Sequence, residues 1–184
     1  SSVGVQLERA RERERPLVMF CVRESDGGGA GFAAFVQHAV QEQSEALEDA
    51  REASFSHSRM ILSQFDDGSV VFCLPSIHLI HDAALLGKRL QSTLSSNRGT
   101  DCRVGISCSP DDGVDPVQIT KRARDAADRD ERADGSKIRF FTDSMERWAF
   151  ERLALETSFR SALHNGEITV YYQPRVDMET GNMN

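Results

Sequence analysis

Four groups of residues in this sequence have types and spacing that could do chemistry. His78, His81 and Asp82 are close enough together to suggest a metal site. They fall at a strand-to-helix junction with no third ligand at a diagnostic spacing, so they are read as structural. Gly27-Gly28-Gly29-Ala30-Gly31 follows an apolar run and precedes an amphipathic one, the place of a phosphate-cradling loop. The Gly-Lys-Ser/Thr that would close such a loop is replaced by Gly31-Phe32-Ala33, and no GxGxxG pattern is completed, so a flexible loop is expected. Cys21, Cys73, Cys102 and Cys108 form no CxxC pair, and three of them alternate with apolar residues. They read as small buried hydrophobes of a reducing compartment rather than as disulfides or metal ligands. The fourth group is an acidic turn, Asp66-Asp67-Gly68-Ser69, between the β-prone runs Arg59 to Phe65 and Val70 to Pro75. Asp67-Gly68 favours a tight two-residue turn, because Gly accepts φ > 0 and Asp tolerates it.

Composition limits what such groups can serve. The sequence has 184 residues, enough for one domain with a sizeable core or one domain plus a fragment. A hydrophobic share of 39 % and a charged share of 28 % fit a globular chain. The formal net charge of −7 argues against a nucleic-acid surface and against an anionic membrane as partner. No apolar run approaches the roughly 20 residues of a membrane-spanning helix, and no secretory pattern opens the sequence. No membrane insertion is therefore expected, and a cytoplasmic location is.

Periodicity supplies the elements that must position these groups. Residues 6–15 alternate in charge with few apolar positions, which predicts a solvated helix or linker and suggests a further domain upstream. Pro16 to Val22 is continuously apolar, as in a central strand buried on both faces. Phe32, Phe35, Val36, Ala39 and Val40 mark the buried stripe of a helix running to about Glu52. The hairpin follows. Asp82 is placed to cap a helix reaching about Leu94, with Leu86, Leu90 and Leu94 on one face. Val104, Ile106 and Cys108 alternate as in a strand. Asp115-Pro116-Val117-Gln118 is a helix start, and an alanine-rich helix through Ala123, Ala126 and Ala127 is expected to end at Asp134-Gly135. Residues 136–141 form the last strand of this domain. A helix from Ser144 to His164 stops at Asn165-Gly166, and a strand-like run begins at Glu167.

The order strand, helix, hairpin, Leu74-Pro75, helix, strand, Pro110-Asp111-Asp112-Gly113 turn, alanine-rich helix and strand closing on Phe resembles the GGDEF, or diguanylate cyclase, family over residues 16–142. The resemblance implies an α/β fold with a central, mostly antiparallel sheet surrounded by helices. It also places the five signature positions on Asp66, Asp67, Gly68, Ser69 and Val70, none of which matches Gly-Gly-Asp/Glu-Glu-Phe. Two aspartates that hold Mg²⁺ and GTP in the family correspond to Cys21 and Arg23. A thiol and a guanidinium cannot replace hard oxygen ligands. The Phe-Lys-x-x-Asn-Asp of the following loop is absent too. The inhibitory Arg-x-x-Asp falls on His57 and Met60 and is likewise absent.

The segment from residue 144 onward resembles the opening of an EAL domain, the cyclic di-GMP phosphodiesterase family, most clearly in Tyr172, Gln173 and Pro174. In that family the Glu-Ala-Leu motif and its metal carboxylates come a few residues later; none is in this sequence, and one helix and one strand cannot form the barrel of that family. The expected layout is a charged linker over 1–15, a degenerate GGDEF domain over 16–142, a linker and first EAL helix over 143–166, and the first strand of a truncated EAL domain over 167–184. The expected function is a catalytically inactive regulatory and dimerisation module in cyclic di-GMP signalling, with no cofactor. Its expected partners are an upstream sensor, a downstream EAL domain and a second copy. Two alternatives stand beside it: an allosteric GTP switch with weak nucleotide binding, and a passive spacer in an active phosphodiesterase.

Overall fold

The computed structural model describes residues 4–5, 16–25, 27–29, 31–49, 60–74, 77, 79–99, 101–129 and 137–171. In chain order these give β1 (Leu17–Glu24), α1 (Phe32–Asp49), β2 (Ile61–Gln64), β3 (Val70–Cys73), α2 (Ile80–Arg98), β4 (Cys102–Ser109), α3 (Pro116–Ala127), β5 (Ile138–Phe140) and α4 (Asp143–His164). The chain divides into two units, Ser1–Leu153 and Ala154–Asn184.

In the first unit the five strands form one sheet in the order β2-β3-β1-β4-β5. All neighbours are antiparallel except β4 and β5, so the sheet is mostly antiparallel. β1 lies at its centre, as its unbroken apolar run requires, because both faces are covered. Val18, Phe20 and Val22 face one core with α1 and α2, where Leu86, Leu90 and Leu94 are fully buried. Leu17, Met19 and Cys21 face the other core, against Ile119, Ala123 and Ala127 of α3. The rings of Phe20 and Phe72, paired across β1 and β3, stack at 4.8 Å.

The predicted alternation at Val104 and Ile106 has a glycine between them for a steric reason. A β-carbon on Gly105 would collide with the Ala123 carbonyl oxygen and the Ala127 amide nitrogen. α3 therefore rests backbone to backbone on β4, and its small residues permit that approach. The start of α3 is as read from sequence: the Asp115 carboxylate accepts from the Gln118 N–H at 2.9 Å, with Pro116 in the first turn. Its end is not. α3 stops at Ala127 with Asp128 as its C-cap, and Asp134-Gly135 lie outside the described residues.

α2 also departs from expectation. Its N-cap is Leu79, with no side-chain cap, and it begins at Ile80. Asp82 is a buried acid inside the first turn, beside His81, rather than the capping residue.

The hairpin loop is one residue longer than a two-residue turn. Gly68 N–H donates to the Phe65 carbonyl, and Phe65 N–H to the Ser69 carbonyl, both at 2.9 Å. The loop is thus Asp66-Asp67-Gly68, with Gly68 in the left-handed region at φ 79°. This is the three-residue loop in which glycine takes the left-handed position. In the second unit α4 ends at Asn165-Gly166, where Gly166 has φ 69° and Glu167 N–H bonds the Ala162 carbonyl. Residues 167–171 take part in no strand pairing, so the strand expected from Glu167 is not formed over them. A lone strand has no neighbour to satisfy its N–H and C=O groups.

Candidate functional site

β1 is buried at every position but Arg23, and its side chains alternate. Arg23 therefore shares the face of Met19 and Cys21 and points toward α3, while the hairpin loop brings Asp67 to the same place. Arg23 Nη2 donates to Asp67 Oδ2 at 2.7 Å. Arg124 Nη2, from α3, donates to the same oxygen, also at 2.7 Å. The other carboxylate oxygen, Asp67 Oδ1, accepts from the Ser69 hydroxyl at 2.6 Å and the Ser69 N–H at 3.1 Å. Both Asp67 oxygens are thus fully engaged within the chain. Arg23 Nε reaches Asp128 Oδ1 at 3.0 Å, just past the end of α3. The Arg124 guanidinium lies over the Phe65 ring at 4.4 Å.

These contacts hold the Asp67 carboxyl well below the usual carboxylate range. The Ser69 hydroxyl bond is the largest cause; burial, next in size, opposes it, and the Arg124 bond, the Ser69 N–H and the charge of Arg23 lower it further. Beneath them, burial pushes the Cys21 thiol up to about 12, with the nearby Arg23 and Arg124 charges opposing it. Burial alone pushes Cys73 up to about 12. All four cysteines are free and buried.

The glycine-rich loop after β1 touches the hairpin loop at Gly28. A β-carbon on Gly28 would lie 2.5 Å from the Gly68 carbonyl oxygen, and one on Gly68 would collide with the Gly27 carbonyl oxygen. Both residues have positive φ, so the β1–α1 loop and the hairpin loop abut through backbone that only glycine allows.

The groups implied by the sequence resemblance, Mg²⁺ with GTP, do not fit this arrangement. The two positions that would supply metal carboxylates hold a neutral thiol and a cation, and the acids beside them are engaged by arginine, Asp67 by Arg23 and Arg124 and Asp128 by Arg23. Among the described residues there is no cluster of three or more His, Cys, Asp or Glu that could hold a metal ion.

The structure brings Cys21, Arg23, Asp67, Gly68 and Ser69 together. Asp66 is exposed at the loop tip, and Val70 is buried in the α1–α2 core. Met60 is half-buried against that core rather than at a ligand site. His57, His78, Tyr172, Gln173 and Pro174 lie outside the described residues. Sequence reasoning missed Arg124 and Asp128. Their signal was the charge pattern from Lys121 to Asp128, interleaved with the alanine stripe of the same helix.

No protein-family model matches the chain. It is 35 % identical over 77 residues to the cyclic di-GMP phosphodiesterase PdeR of Escherichia coli, covering 42 % of this chain and 12 % of that protein. It is 26 % identical over 141 residues to the cyclic di-GMP phosphodiesterase NbdA of Pseudomonas aeruginosa, covering 68 % of this chain. The chain spans only 18 % of NbdA's length. Among solved structures, a GGDEF domain of YfiN from Pseudomonas aeruginosa matches with a TM-score of 0.55 at 16 % identity, covering 79 % of this chain and 88 % of that one. The active GGEEF domain of a diguanylate cyclase from Vibrio cholerae matches with a TM-score of 0.53 at 14 % identity, covering 75 % and 90 %. The chain folds as a GGDEF-type α/β domain.

Proposed function

We propose that this chain is a catalytically silent GGDEF-like regulatory module of a cyclic di-GMP signalling protein. The observation that carries the reading is the double arginine clamp on Asp67. Phosphoryl transfer at such a site is positioning plus electrostatic stabilisation by metal ions. Here the hairpin acid is neutralised by Arg23 and Arg124, and the β1 positions are Cys21 and Arg23. The glycine contact between the two loops narrows the same place. The named activities of PdeR and NbdA support placement in cyclic di-GMP signalling.

In this reading residues 16–142 are the regulatory domain, and residues 1–15 link it to a sensor. α4 carries its state toward an EAL domain that begins over residues 143–184. A second copy of the chain is the other partner. The test is incubation of the purified chain with GTP and Mg²⁺, with separation of the products. No cyclic di-GMP is expected at any enzyme concentration. Product that scales with protein would overturn the proposal.

A further inference from the structure

The double arginine clamp has a second consequence, independent of the regulatory reading. A position read as a cation site has the opposite charge character here. Two guanidinium groups, from β1 and α3, converge on one carboxylate oxygen, each at 2.7 Å. That is the geometry with which proteins receive a phosphate or carboxylate oxygen. Arg124 is held in place by its stacking on Phe65, so its donors stay aimed whatever anion sits before them. Arg124 Nε is buried and has no hydrogen-bond partner among the described residues, leaving one donor of the fork unused.

The cluster is also reachable. The side chains of Arg23, Arg124 and Asp67 are 22 %, 31 % and 34 % exposed. Its charges are two arginines against Asp67 and Asp128, so moving Asp67 aside leaves a net positive pocket. Asp67 rides on a three-residue loop outside the strands, so its displacement breaks no strand pairing.

We infer that Arg23 and Arg124 form an anion-binding site that Asp67 fills from within the chain, and that a compact polyphosphate competes with Asp67 for it. Occupancy of this site would release the hairpin loop from β1 and α3. The binding needs no divalent cation, which separates it from metal-dependent nucleotide binding.

Titration calorimetry with sodium pyrophosphate, in EDTA and at low salt, tests this on the native chain, Asp67→Asn and Asp67→Asn/Arg124→Gln. Asp67→Asn should bind at least tenfold tighter than the native chain, and the double variant should lose that gain. Equal affinity of native chain and Asp67→Asn, or undiminished binding by the double variant, would overturn the inference. A second measurement needs no substitution. In the native chain, pyrophosphate should shift the arginine side-chain NMR signals of Arg23 and Arg124 ahead of those of Arg152 and Arg160 on α4. Uniform shifts would mean non-specific charge attraction and would also overturn it.

Discussion

Asp67 is the residue on which the site turns, and its linkage to pH has a definite sign. Its native pKa is depressed by Ser69, Arg124 and Arg23, with Asp128 the other charge in the cluster. A depressed carboxylate stabilises the fold fully above its unfolded pKa of about 3.9 and loses that contribution as pH falls toward the native value. The melting temperature of the native chain should therefore exceed that of Asp67→Asn at pH 7, and the gap should close as pH falls from about 4 to about 2. A gap that stayed constant over that range would mean that the carboxylate's charge does not hold the loop. The side chain is a third exposed and the effect screened, so a gap of a few degrees at most is expected. The acidity of this turn was legible in the sequence, and its engagement was not. Arg23 and Asp67 are 44 positions apart and Arg124 another 57, and no local pattern links charges across that distance. What sequence could show was a thiol at position 21 and a cation at position 23 where acids were implied, and both counted against a metal site.

At the scale of elements, the readings that held rest on local physics. The β1 run, the α1 and α2 stripes and the Asp115-Pro116-Gln118 start of α3 each follow from burial period or capping within a few residues. The readings that failed were boundaries set by tertiary contact. α2 begins at Ile80 with Asp82 buried in its first turn, and α3 ends at Ala127 with Asp128 paired to Arg23. Gly105 lies between these cases: its place in a strand was visible, its reason was not. Since α3 rests on it through main-chain atoms, Gly105→Ala cannot be relieved by a rotamer change and must push α3 off β4. A loss at or above the upper end of about 1–3 kcal/mol is expected, seen as a lower urea midpoint with an unchanged slope. A loss well under about 1 kcal/mol would mean that α3 slides freely on the sheet.

For the molecule as a whole, the question is how the sheet could act on α4. The first turn of α4 is built into the first unit by three independent links. Buried Glu146 accepts from the Phe140 N–H of β5 at 2.7 Å. Arg129 joins the Phe140 carbonyl to Asp143 at 3.3 and 3.0 Å. Asp112, fully buried in the turn after β4, accepts from the Cys108 N–H at 2.8 Å and from the Thr142 hydroxyl at 2.6 Å. One carboxylate thus ties the end of a core strand to the residue just before α4. Displacement of the end of β4 relative to Thr142 must strain that tie. Asp112→Ala leaves the Cys108 amide and the Thr142 hydroxyl without their partner, at a cost of about 2–3 kcal/mol. Hydrogen exchange should then speed up at residues 108–113 and 141–147 together, while β1 and β3 stay protected. Faster exchange confined to 108–113 would show that Glu146 and Arg129 alone anchor α4, and that Asp112 does not couple the two.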